Sequence, residues 1–599
     1  MAMMRWPSIL LLGAVASASA QTPHLSGRVT VDPSRGLLDG RLCLFRFTPR
    51  SDLRFVLSAA VNLMLVSDST GRSLPYAGEY NGRLIGEARE YVVTRRESDS
   101  LPGHLCLAYR GAVPPFDSNT ATTDWKGRVT SIGGVLRASE QSTWYPTLLD
   151  SASGRLERAV SYDLTVECTG CRSIYLNGSR PIAGSSGRFS SSVPRPLLLL
   201  AGELSFQETP DITLVGGRAG PEATRAFSAA TRELAGYYER LLGIPYRERP
   251  TLLTFRSVWS ERPDGVPSWQ FVTWPTIAIS GGVTFDSVLA GPSGARTVPH
   301  GLWTTLSHEM GHYYFGTLLD PVGPLRWFAL ESTAEFLSLK AVAALRGPEA
   351  GVARAIQVAQ GMGQVTLPRL DQIRRVDDIT GTYRYQYAPA FLLTLEARYG
   401  ESKVLAMLRE LLATPAGAAI DFERLAGAAE RAGLPRAALT DGWAVENILA
   451  AHAAQARRTL DLVAARPGSE ALAEEIAGGL VNVDTTRVGR LAVLVALQRV
   501  VARDPDRPAA QYQIGKIGAL TGQELDAAQA ALERYLRHPA PPGSPSHAAA
   551  YWRLGQIEEH RGRLDQARAA YRAALERDPA YGAAREALAR LGGQPGGQR

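Results

Sequence analysis

The stretch LSHEMGHYYFG, residues 306–316, decides how the rest of the chain is read. His308 and His312 stand four residues apart, and on a helix that spacing puts both rings on one face, one turn apart. Two neutral imidazoles so placed suit a tetrahedral zinc ion. Glu309 projects to the neighbouring face, where it acts on a water at the metal and not on the metal itself. The alternative is a surface helix with two unrelated histidines. Histidine is scarce, with nine in the chain, so coincidence is a poor account.

A catalytic zinc takes three protein ligands and leaves one position open. Working outward, RWFALESTAEF, residues 326–336, offers Glu331, with eighteen residues between it and His312. The intervening TLLDPVGPL predicts a loop that returns the chain as a second helix facing the first. Glu335 lies one turn beyond Glu331 on the same face. There its carboxylate accepts a hydrogen bond from a ligand histidine and fixes the tautomer; solvent exposure is the alternative.

The run HEMGHYYFG…WFALESTAEF resembles the gluzincin zinc metallopeptidases of the aminopeptidase N type, whose pattern is H-E-x-x-H-x-W-F-G…W-L-N-E-G-F-A-E-F. STWYPTLLD…AVSYDLTVE…IYLNGS is similar to the late part of that family's N-terminal β-domain. YQYAPAFLLTLEARYG is similar to the tyrosine helix of its bacterial "peptidase MA" relatives. The resemblance covers about residues 21–450 and is most specific over 306–336. It implies that His308, His312 and Glu331 hold Zn²⁺, that Glu309 is general base and then proton shuttle, and that the substrate is a peptide or protein. It also implies a tyrosine hydroxyl as oxyanion donor. Tyr385 matches that helix best, Tyr383 and Tyr387 are close enough to serve instead, and packing is the other role open to all three.

The sequence also departs from the family. Its aminopeptidases carry G-x-M-E-N before the zinc helix, with a glutamate that binds the substrate's free amine. Here TIAISGGVTFDSV keeps glycines at Gly281 and Gly282, puts Thr284 at the glutamate position and offers Asp286 two residues on. Without that carboxylate a free α-amine gains little. The departure argues against aminopeptidase specificity and for endopeptidase action or an unusual N-terminus. Thr317 and Leu330 replace family asparagines near the metal without removing a ligand.

Composition narrows the class. The 599 residues are 45% hydrophobic and 21% charged, and the formal charge of +7 is spread without a basic run, which excludes a nucleic-acid partner. The first twenty residues, MAMMRWPSILLLGAVASASA, read as a secretory signal peptide, so the protein is expected in the periplasm or outside the cell. No later stretch is long and apolar enough to predict a membrane span in the mature chain. All four cysteines lie in the first third; pairing Cys43 with Cys106 and Cys168 with Cys171 is the preferred framework, and a Cys-x-x-Cys zinc half-site the alternative.

The expected architecture is multidomain α+β. After the signal peptide at 1–20 come an N-terminal β-sandwich-like domain over 21–205, a thermolysin-like α/β zinc catalytic domain over 206–345 and a helical domain over 346–480. A tetratricopeptide α-solenoid over 481–599 closes the chain. Pro505, Pro539 and Pro579 close helical stretches at spacings of 34 and 40 residues. Tyr551, Leu554, Gly555, Gly562, Ala567, Tyr571, Ala574 and Pro579 fall on the repeat's signature positions. Two full units and one partial unit are too few to stand alone, so they are expected to dock on the helices before 480. A possible protein partner occupies this array. The rival to an enzyme is therefore a scaffold of the cell envelope that binds peptides through its repeats and carries a vestigial zinc site. A third possibility keeps zinc hydrolysis and changes the substrate, for example to an epoxide.

Overall fold

The computed structural model describes residues 22–592, apart from 48–51, 83–86, 95–101, 114, 117–127, 152–153, 256–269, 281–283, 290–296, 361, 363–366, 416, 442–443 and 542. The signal peptide at 1–20, Gly281 and Gly282 lie outside the described residues. The architecture is the expected mixed α+β one, β-rich first and helical afterwards.

Three sheets occupy the N-terminal region. One runs through Ser186–Arg195, Val160–Cys168, His24–Asp32, Leu37–Phe45, Leu105–Ala112 and Val61–Ser67, with only the Val160–Cys168 and His24–Asp32 pair parallel. Alternating residues such as Leu38, Leu42 and Leu44 turn inward to a core that includes Phe55, Trp144 and Tyr162. Cys43 and Cys106 sit directly opposite each other in the ladder and are bonded, as are Cys168 and Cys171.

A fourth, mixed sheet follows in the order Ser205–Glu208, Thr213–Gly216, Thr251–Phe255, Thr276–Ser280, Gln270–Thr273. Its three central strands are parallel, and the helix Pro221–Leu242 makes the first crossover. That helix begins with proline at its first turn and ends at Gly243, whose left-handed φ of 67° closes the last turn. The sheet is buried on both faces, which explains its nearly unbroken apolar strands. Leu214, Leu252, Ile277 and Ile279 face the helices, while Val215, Leu253 and Ala278 face Tyr175, Leu198 and Leu200 of the β-region. Asn177 pins this joint, giving its side-chain amide to the Trp274 carbonyl at 2.9 Å and accepting from the Thr276 hydroxyl at 2.6 Å.

The helix expected over GLWTTLSHEMGHYYFG spans only His300–Gly311, with His312 as its cap. The chain then turns tightly. The amides of Tyr314 and Phe315 both bond the Gly311 carbonyl, and Gly316 takes a φ of 148° that L side chains avoid. The returning helix Thr333–Leu345 packs against His300–Gly311, with Gly311 set against Ala334. A Cβ at Gly311 would stand 3.2 Å from the Ala334 Cα.

The core that begins at Ile212 continues unbroken through Leu480, Val493, Leu497, Ile514 and Ala531. The repeats therefore dock on the preceding helices, as expected. Beyond them, helices Pro508–Thr521, Leu525–Tyr535, His547–His560 and Leu564–Arg577 pair antiparallel with small residues at the crossings. Gly555 is one such crossing: a Cβ there would come within 2.3 Å of the buried Tyr571 ring. Gly555→Ala should lower stability by about 1–3 kcal/mol through overpacking. Gly582→Ala, where an added Cβ meets nothing within 4 Å, should change it by less than about 0.5 kcal/mol. Chemical denaturation of the two variants checks the contrast.

Candidate functional site

The helix His300–Gly311 presents His308 and, at its cap, His312, with ring centroids 5.0 Å apart. Each ring's Nδ1 has a partner. His308 Nδ1 meets Glu335 Oε2 at 2.9 Å, and His312 Nδ1 meets the Phe315 carbonyl at 3.1 Å. A carbonyl only accepts, so His312 donates from Nδ1, and Nε2 is the nitrogen left to serve as a ligand atom when the ring is neutral. The Glu335 carboxylate selects the same tautomer at His308.

Both Nε2 atoms face Glu331. Its Oε2 lies 3.4 Å from His308 Nε2 and 3.5 Å from His312 Nε2. Donor atoms about 2.0–2.1 Å from a shared tetrahedral centre stand about 3.4 Å from one another, so the two His–Glu331 distances and the donor set fit zinc. The ligand atoms of His308, Glu309 and His312 also lie within 4.8 Å of one another, with Glu309 Oε2 3.7 Å from His312 Nε2. Among the described residues, the other group of metal-binding side chains is Cys43, His104 and Cys106, whose two sulfurs are joined in a disulfide.

Electrostatics follow from burial and close charge. Burial alone would drive the proton off His308, but the Glu331 and Glu335 carboxylates outweigh it and hold the ring's pKa well above the usual value. Burial pushes the Glu331 carboxyl up, and the two histidines more than reverse this, holding it well below the ordinary range. For Glu309 burial wins, and its pKa is raised despite the neighbouring rings. Glu335 is 4% exposed; its second oxygen accepts from Arg354 at 2.6 Å. Arg354 comes from the helix Pro348–Ala359, and the sequence carries no signal for it.

Glu331 and Tyr385 each sit in a single π-helical turn, Phe328–Ser332 and Tyr383–Tyr387, and the two turns pack together. The structure brings Tyr385 to the site: its ring is 6.0 Å from His308, and burial together with the Glu331 carboxylate raises its pKa. Tyr383 and Tyr387 are buried in the core at 0% and 1% exposure. Asp286 is already engaged, since both its oxygens accept from the Gly220 amide at 2.9 Å at the head of Pro221–Leu242. Leu330 packs toward Gly316, where its Cδ1 would stand 3.0 Å from an added Cβ.

Comparison with known proteins is consistent with this layout. A tetratricopeptide repeat model matches residues 495–545 and 518–582. No curated protein matches the chain by sequence. Among solved structures, native yeast LTA4 hydrolase is similar with a TM-score of 0.54 and 13% identity, covering 96% of this chain and 93% of that one. A second structure of native leukotriene A4 hydrolase from Saccharomyces cerevisiae gives 0.52 and 14%, over 96% and 93%. The M1 zinc metallopeptidase from Deinococcus radiodurans is more loosely similar, with a TM-score of 0.47 and 15% identity over 71% of this chain and 92% of that one. The fold of the chain is thus that of yeast LTA4 hydrolase over nearly its whole length, and its C-terminal region carries tetratricopeptide repeats.

Proposed function

We propose that this chain is an exported zinc-dependent metallopeptidase that hydrolyses internal peptide bonds. The observation that carries the reading is the convergence of His308 Nε2, His312 Nε2 and Glu331 Oε2 at 3.4–3.5 Å while both Nδ1 atoms are bonded elsewhere. His308, His312 and Glu331 would hold the zinc, which when bound supplies Lewis acidity to a substrate carbonyl and acidifies water. Glu309 takes the proton. Its burial raises its affinity for protons, which suits a base that must accept one and hand it to the leaving amine. Tyr385 keeps its hydroxyl proton because its pKa is raised, so it acts as a neutral donor to charge developing on the carbonyl oxygen. Glu335 and Arg354 orient His308 and do not touch substrate.

Endopeptidase action is favoured because Thr284 stands where an amine-binding glutamate would, and the nearby Asp286 carboxylate is engaged by Gly220. Export rests on residues 1–20. Among the described residues, no helix is long and apolar enough to cross a membrane. The repeats are the surface on which a protein partner would be held.

Full-length mature protein, zinc-loaded, is incubated with peptides bearing free or acetylated N-termini, and products are read by mass spectrometry. Internal cuts in both sets are expected. Glu309→Gln should cut turnover by about a thousandfold or more while zinc content stays at one equivalent per chain. A Glu309→Gln protein as active as wild type would falsify the reading. Tyr385→Phe should lower kcat by about a hundredfold, whereas Tyr383→Phe should not approach that loss. Chelation should abolish cleavage and added zinc restore it. Glu331→Ala should leave too little bound metal to measure, and Glu335→Gln should weaken zinc binding by about 10–100-fold in equilibrium titration.

A further inference from the structure

Strand Leu37–Phe45 buries Leu42 and Leu44, so Arg41, Cys43 and Phe45 project from its other face, away from the core. On the neighbouring strand Cys106 shares that outer face, and His104 stands two residues before it. The Cys43–Cys106 disulfide therefore lies on the outside of the sheet and is half-buried. Cys168 and Cys171 differ: they are 4% and 9% exposed and belong to the core. His104 brings its Nε2 to 3.1 Å from Cys106 Sγ. The Phe45 ring meets the imidazole edge-on, with centroids 4.0 Å apart.

A disulfide sulfur carries no hydrogen, so in this contact the ring donates. A neutral sulfur accepts weakly and a thiolate strongly. The N–H of His104 therefore stabilises most the product in which the bond has opened with its negative charge on Cys106. A donor beside a sulfur also makes it the better leaving group. Among the described residues no such donor reaches Cys43. On the side away from the bond Cys43 has half-buried Ser26 as its ladder neighbour, while Cys106 has Ser67, which is 6% exposed. In the next row Arg28 and Arg41 stand opposite each other, both exposed, and their charge favours the approach of a thiolate to Cys43. The strands do not need the bond for their register, which runs without a break from Leu37 opposite Ala112 to Leu44 opposite Leu105.

We propose that the Cys43–Cys106 disulfide is an exchange site for low-molecular-weight thiols, with Cys43 as the sulfur that is modified and His104 as the group that directs the exchange. The incoming thiol gives its proton to water, and its thiolate attacks Cys43 Sγ to form the new S–S bond. The electron pair of the old bond leaves on Cys106 Sγ, beside the His104 N–H, and a proton from water completes the Cys106 thiol. One thiol and one disulfide become one mixed disulfide and one thiol, so no other oxidant or reductant is needed. Attack of Cys106 on the adduct reverses the step. Phe45 holds the imidazole in place.

The test incubates the folded, full-length mature protein with excess reduced glutathione, quenches with an alkylating reagent and maps every cysteine by peptide mass spectrometry. Glutathione is expected on Cys43 and the alkyl label on Cys106, with Cys168–Cys171 still closed. His104→Phe removes the donor and keeps a ring beside Phe45; it should slow adduct formation by about tenfold. His104→Gln keeps a side-chain N–H and should fall between the two. Circular dichroism establishes that the variants are folded, and the position of the adduct in wild type is read without any variant. Glutathione on Cys106 with a free Cys43 overturns the proposal. So does an adduct that forms only in denaturant, which would make the bond a structural cross-link alone. Opening of both disulfides at one rate also overturns it, as does an unchanged rate in folded His104→Phe and His104→Gln proteins.

Discussion

Two imidazoles one helical turn apart can turn their Nε2 atoms to a common point only if each gives its Nδ1 hydrogen to something else. Here two different acceptors do this, the Phe315 carbonyl for His312 and the Glu335 carboxylate for His308. The second is the more demanding, because Glu335 is almost fully buried and must be kept charged there. Burial pushes its pKa up, and the bonds to His308 and Arg354 bring it below the usual range. The surrounding fold serves this arrangement. Gly311 lets the second helix approach closely, Tyr238 ties the first helix through the Ser307 carbonyl at 2.7 Å, and the helix Pro348–Ala359 delivers Arg354.

The site was legible because its spacings are helical. His308 to His312, and Glu331 to Glu335, are single turns, and single turns survive from sequence to structure without knowledge of the rest of the fold. The family resemblance favoured Tyr385, but residue spacing alone did not separate it from Tyr383 and Tyr387. Strict alternation of the three suggests no helical face, and their placement depends on a π-helical turn that brings Tyr385 near His308 and buries its two neighbours in the core. A π-turn forms when packing favours one extra residue between fixed flanks, so no local composition announces it. The end of the first helix was missed for a related reason. HYYFG is apolar and reads as more helix, but the cap at His312 is set by where the Phe315 carbonyl must go.

In the β-region, the strands could be read from alternation, and the preferred cysteine pairing anticipated one pair of neighbours but not their register. Cys43 and Cys106 lie 63 residues apart and become partners through ladder register, a non-local property. Likewise Asp286 looked available beside a missing glutamate, and only the fold shows it holding the head of a helix 66 residues earlier.

The boundary expected near residue 480 separates sequence patterns more cleanly than it separates packing. The helix Pro348–Ala359 works in both directions. Arg354 reaches Glu335 behind the candidate metal ligands, while three residues on Gln357 bonds the Glu475 carbonyl at 2.8 Å, and Gln360 accepts from Asn482 at 2.8 Å. Asn482 in turn takes the Lys516 ammonium at 2.5 Å, inside the first matched repeat. Close-packed interiors transmit displacement because they have no slack to absorb it. A repeat array that merely hung from the catalytic half would need none of these bonds. The repeats thus meet, through Asn482 and Gln360, the end of the same helix that carries the arginine bonded to Glu335.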